Sequence, residues 1–190
     1  MRVLLLALLA SLPFWESKPA ADWSDAELEE FLTESPWAQQ AVSAKETSGA
    51  QVYLASARPV REAEAERARR NKPAAEDPNA DEYAEFLRAN EGRVIVLAAA
   101  LPNAGALANP AELKRMEEEC VLRVGRKTYK MTGHFPPSPS DPWLRLVFPR
   151  AVTPADKTFR FDLYLPSVPE PYRVAMFRVK ELSYRGRLEM

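Results

Sequence analysis

Between Thr158 and Leu165 the chain alternates. Phe159, Phe161, Leu163 and Leu165 fall in one phase, Arg160 and Asp162 in the other. Successive strand residues point to opposite sides of a sheet, so this period of two commits the segment to a strand with a greasy face and a polar face. Such a strand needs neighbours for its backbone and a second layer for its apolar side. The C-terminal half supplies candidates. Leu144, Leu146 and Phe148 share a phase in Trp143–Phe148. Cys120, Leu122 and Val124 share another, before a two-residue turn candidate at Gly125-Arg126 and a return over Lys127–Thr132. Val94–Ala98 is a continuous apolar run, as in a strand covered on both sides. In Tyr172–Lys180 the phase slips, with Val174 and Met176 in one set and Phe177 and Val179 in the other. A bulge near Met176 is expected. Phe135–Pro142 holds four prolines and is excluded from the centre of a sheet. Tyr184–Met190 continues the preceding strand or forms a short edge.

Upstream of Arg93 the pattern is helical. Ser24 and Glu27 have capping-box spacing, Trp23 and Leu28 that of a hydrophobic staple, and Leu28, Phe31 and Leu32 share a face. Ser35-Pro36 stops this helix and is expected to open a second short one, with Trp37, Gln40 and Ala41 on one side. Gln51–Ala55 is a short strand candidate. Val60–Asn71, rich in Ala, Glu and Arg, reads as a solvated helix, and Lys72–Pro78 as a linker. Asn79 and Glu82 repeat the capping box ahead of Tyr83, Phe86 and Leu87, with Gly92 at the end. Asn109-Pro110 opens a short helix with Leu113 and Met116 inward.

The expected fold is therefore α+β. A signal-like leader (1–20) precedes a mainly helical segment with one short strand (21–92). That segment packs on a β-rich domain (93–190), an antiparallel β-sandwich-like or strongly curved sheet. In the leader, Arg2 is followed by an apolar run over 3–12, broken by Pro13. This resembles the n- and h-regions of a secretory signal and is too short for a transmembrane span. The predicted localisation is periplasmic or secreted, with cytoplasmic as the alternative.

Charge divides along the same line. Net charge is −1 for the whole chain, yet residues 22–92 carry −8 and residues 93–190 carry +6. Acidic helices docked on a basic sheet account for this; so does a basic surface for an anionic partner.

Chemistry is constrained by scarcity. One His and one Cys exclude paired-imidazole metal sites, multi-Cys metal sites and an intrachain disulfide. The sequence has no Gly-rich phosphate loop before a helix and no GxSxG or SxxK motif. No cofactor is indicated. His134 is a candidate lone base, and Cys120 could meet it across the hairpin of the 120s. Glu117–Glu119 is an acidic triplet at a helix end, expected to be solvated. Trp23 and Trp37 are candidate binding aromatics, weighed against a role in anchoring the helical segment.

The stretch Trp23-Ser24-Asp25-Ala26-Glu27, then Phe31-Leu32-Thr33, then Ser35-Pro36-Trp37-Ala38, behind a short apolar leader, resembles an uncharacterised family of exported bacterial proteins. The resemblance implies a helical N-terminal part before a β-rich tail and assigns no functional residue. Together these readings favour an exported, non-enzymatic structural or binding module of the cell envelope, with an envelope protein or polymer as partner and no nucleic acid. Its surface is expected at Arg145, Arg160, Arg173 and Arg178, with Trp23 and Trp37. The alternatives are a hydrolase-type enzyme using an isolated acid or His134, and an intracellular nucleic-acid-binding module using the basic half.

Overall fold

A computed structural model describes residues 12–45, 49–71, 80–101, 104–138 and 141–190. The apolar run of the leader, up to Ser11, and the Lys72–Pro78 linker lie outside the described residues. The helices are α1 (Phe14–Ser17), α2 (Asp25–Glu34), α3 (Arg58–Asn71), α4 (Ala80–Ala89) and α5 (Pro110–Glu119). The strands are β1 (Ala38–Ala41), β2 (Ala50–Leu54), β3 (Val94–Ala100), β4 (Val121–Val124), β5 (Lys127–Lys130) and β6 (Gly133–Phe135). They continue with β7 (Trp143–Pro149), β8 (Thr158–Tyr164), β9 (Tyr172–Arg178), β10 (Ser183–Tyr184) and β11 (Arg187–Leu188).

The architecture is α+β, built on antiparallel sheets. One sheet has the order β1-β2-β3-β7-β6, a second the order β5-β4-β8-β9, and β10 and β11 form a small hairpin. The first sheet crosses the predicted boundary at residue 92, because β2 pairs with β3 through Val52 opposite Ala99 and Leu54 opposite Leu97. The main sheets approach each other at two places. Val42, just past β1, exchanges both backbone hydrogen bonds with Val174 of β9. At the other side, the chain leaves β4 after β5 and joins β7 as β6.

The alternation of β8 decides the core. Phe159, Phe161 and Leu163 are buried, and so are Leu122, Ala175 and Phe177 on the flanking strands. Phe161 packs at 4.9 Å on Phe148 of the first sheet, and Phe159 stacks at 5.4 Å on Phe177. Each such side chain removed from water contributes ~1.5–3 kcal/mol. The turn between β4 and β5 is tight because Gly125 adopts φ 57°, a conformation in which a side chain is strained.

Ser24 and Glu27 form the predicted capping box of α2: Glu27 N–H donates to Ser24 Oγ, and Ser24 N–H to Glu27 Oε2. Asn109 caps α5 as its spacing implies. Two expectations are corrected. Residues 38–41 form β1 rather than a second short helix; Ser35–Trp37 turns the chain, and pairing with β2 overrides the local helix signal. In β9 there is no bulge, since Thr158↔Arg178 through Tyr164↔Tyr172 run in unbroken register. The phase slip has another cause. Val174 and Met176 point outward although apolar, and Arg173 belongs to the inward set although charged.

The folded body also starts earlier than residue 21. Phe14 lies 5.2 Å from Trp23, Trp15 lies 5.6 Å from Phe31, and Phe31 reaches Trp37, which touches Tyr184. Trp23 Nε1–H donates to Lys18 O, and the Glu16 carboxylate accepts the Arg185 N–H. Residues 14–20 therefore belong to the folded body.

Candidate functional site

The two sheets differ in what covers them. On the first, α3 and α4 reach the row that runs Tyr53–Ala98–Arg145–Phe135 across β2, β3, β7 and β6. Tyr53 O–H donates to Glu64 of α3 at 2.7 Å, and Phe86 of α4 sits 5.1 Å from Phe135. On the second sheet, α5 covers the Tyr164 end, where Tyr164 O–H donates to Glu112 and Arg115 lies over the Tyr164 ring. Arg115 also reaches over the Tyr172 ring, at 6.0 Å, while Arg123, Arg160 and Met176 on the outer face are exposed.

Register assigns its residues. Thr128, Arg123, Arg160 and Met176 form one row across β5, β4, β8 and β9, and Lys130, Val121, Asp162 and Val174 form the next. Met176 is 54% exposed, Tyr172 52% and Val42 47%, the latter bridged to Val174. On β9 the half-buried Val174 stands between Tyr172 and Met176, so the exposed apolar side chains follow one strand, with Val42 beside it. Asp162 lies between two cations, accepting from Arg123 and standing 3.0 Å from Arg160. Arg123 also donates to Thr128.

Two grooves flank this strip. At the Arg178 end, a groove of about 650 Å³ is lined by Arg123, Arg126, Lys157, Arg160 and Met176, with Asp156 at its rim. Asp156 accepts from Thr153 N–H and Oγ1–H, which holds its carboxyl below the ordinary range. Arg126 and Lys157 make no ion pair among the described residues. At the Tyr172 end, a groove of about 370 Å³ is lined by Val42, Val174 and Tyr172 with Glu119 and Glu170. Glu170 is 3.4 Å from Lys45.

The six expected surface residues are not together. Arg160 and Arg178 lie on the open face, Arg178 paired with Glu181. Arg145 is buried beneath the helices: it is ion-paired with Asp141 and with Glu64 at 3.2 Å, and lies over the Tyr83 ring. Polar positions on the first sheet's outer face meet a helix layer, not water. Arg173 is buried on the inner phase at the strand's start, where it donates to Pro169 O across the β8–β9 turn. Trp23 and Trp37 are buried anchors. Trp37 Nε1–H donates to Glu189 O.

Cys120 is fully buried, and its Sγ accepts the Tyr164 N–H at 3.3 Å. Burial pushes the thiol up to about 12, so it stays protonated and inert. The hairpin does not deliver a Cys120–His134 dyad: His134 Nδ1 instead stands 3.6 Å from Glu117 Oε1. Among the described residues, no group of three or more His, Cys, Asp or Glu is placed to hold a metal ion.

No family model, curated protein or solved structure matches the chain. Among the described residues, no helix is long and apolar enough to cross a membrane.

The sequence pointed at this face through a signal open to misreading. Val174 and Met176, out of phase with the core, are the apolar half of the surface. Arg123 carried its own clue in standing opposite the alternation of Leu122 and Val124. Arg126 and Lys157 sit in turns, where periodicity says nothing.

Proposed function

We propose that this chain is a non-enzymatic binding module of the cell envelope, exported by its leader, and that the open face of the second sheet is its working surface. The observation that carries this reading is the set of exposed side chains Val42, Tyr172 and Met176 around half-buried Val174, beside Arg123 and Arg160 and the Asp162 that pairs with both. The resemblance of the N-terminal segment to exported bacterial proteins supports the envelope setting. The Arg126 and Lys157 groove supports an anionic partner.

Fractionation of producing cells tests it, comparing wild type with Met176→Gln/Arg160→Gln and with the control Arg88→Gln on α4. These positions are exposed, so folding stability changes by no more than ~0.5 kcal/mol. Wild type and the control are retained in washed envelopes, and the face variant is released. Retention of all three, or recovery of wild type from the cytosol, contradicts the proposal.

A further inference from the structure

We infer that α4 is a releasable lid on the first sheet, undocking as a unit while the sheets and α3 stay folded. The lid lies away from the second sheet's outer face and does not depend on that face being a docking surface.

The helices differ in what they bury. α2 buries Leu28, Phe31 and Leu32, α3 buries Val60, Ala63 and Glu66, and α5 buries Met116. Over residues 81–89 of α4 no side chain is fully buried. Tyr83, Phe86 and Leu87 are half-buried and the others are exposed.

Hydrogen bonding separates them further. α3 and α5 are riveted to strands by tyrosine hydroxyls. On α3, Glu64 accepts from Tyr53 O–H at 2.7 Å and Glu62 from Tyr184 O–H at 2.9 Å. On α5, Glu112 accepts from Tyr164 O–H at 2.6 Å. Hydrogen bonds to a carboxylate are the strong class. α4 brings its own tyrosine and gains no such bond. The Tyr83 hydroxyl is buried without a hydrogen-bond partner among the described residues, and Arg145 lies over its ring at 4.4 Å. A buried hydroxyl left unpaired weakens the seat it occupies. Besides half-buried Leu87, the other ties among the described residues are Tyr83 and Phe86 against Phe135, each at 5.1 Å, and an ion pair from Glu91, just past the helix, to Arg61. Glu91 is 72% exposed, so that pair adds little.

Packing around α4 is incomplete as well. A groove of about 320 Å³ lies between Glu82, Phe86 and Asn90 on one side and His134, Phe135 and Val147 on the other. A second, of about 200 Å³, is lined by Leu87, Asn90 and Glu91 with Ser56 and Arg150. The C-terminal end of α4 borders both. Undocking bares Phe135 and Arg145, yet Arg145 keeps Glu64 and Asp141 without α4. A helix of 10 residues is not stable alone in water, so α4 melts once it leaves the sheet.

Amide hydrogen exchange of the full chain, read by mass spectrometry at stepped urea, tests the lid. Residues 81–89 are expected to exchange at least ~100-fold faster than residues 60–66 of α3. Their rate is expected to be nearly independent of urea, because undocking exposes little surface. Equal protection of the two helices, or a common urea dependence, overturns the lid. Val147, 3% exposed and lining the larger groove, supplies a second readout. The thiol introduced by Val147→Cys is expected to react with an aromatic disulfide reagent at least ~10-fold faster than Cys120 in the same molecule. A rate no faster than that of Cys120 means that α4 frays in place, and overturns it. Tyr83→Phe removes the unpaired hydroxyl and is expected to slow both readouts ~3-fold or more. Rates that are unchanged or raised contradict the weak seat and overturn the lid.

Discussion

Arg145 of β7 and Glu64 of α3, far apart in the chain, meet at 3.2 Å beneath the helix layer of the first sheet, and Asp141 is the cation's second carboxylate partner. Arg160 stands equally mid-strand on β8 but faces solvent, paired with Asp162 alone. Removing a buried cation leaves its carboxylates uncompensated. Arg145→Met is therefore expected to cost ~3–5 kcal/mol, and Arg160→Met no more than ~0.5 kcal/mol. Urea unfolding midpoints check this, with m-values unchanged.

Glu66 is bracketed by Arg69 and Arg70, with Arg70 also reaching Asp25 and the Trp23 carbonyl oxygen. The two guanidinium groups hold its carboxyl at about 2, below the ordinary 4.5. A lowered folded value stabilises the fold above the ordinary pKa. The contribution fades as pH falls from about 4.5 towards about 2. Glu66→Gln is expected to be less stable than wild type at neutral pH, with the gap closing across that window. Denaturant titrations at stepped pH measure it.

Cys120 tests the packing where α5 runs into β4. With its thiol pushed up to about 12, it is expected to resist aromatic disulfide reagents in the native protein at mildly alkaline pH and to react stoichiometrically in denaturant. Rapid native reaction contradicts a closed core at this point.

The aromatic chain from Phe14 to Tyr184 ties residues 14–23 into the folded body. A chain beginning at Pro13 keeps every one of these contacts. One beginning at Asp22 loses Phe14, Trp15, the Glu16 cap of Arg185 and the Lys18–Glu27 ion pair. It is expected to be weaker by at least ~2 kcal/mol.

The strands and helix caps were legible where period and capping chemistry agree. The alternation of Phe159, Phe161 and Leu163, the Ser24 box and the Gly125 turn all act within a few residues. What escaped depended on distant partners. The Ala38–Ala41 segment becomes a strand only because β2 lies beside it, and Arg145 is buried only because α3 brings Glu64 over it. Alternation tells which residues share a face but not whether a helix covers that face. Hence two of the four expected arginines lie inside, and apolar Met176 lies outside.

The most direct test of the central claim is site-specific photocross-linking in producing cells from position 176, with position 88 on α4 as control and mass spectrometry of the joined peptides. The account predicts adducts from position 176 alone, on one envelope component. No adduct at 176, or the same adducts from both positions, contradicts it.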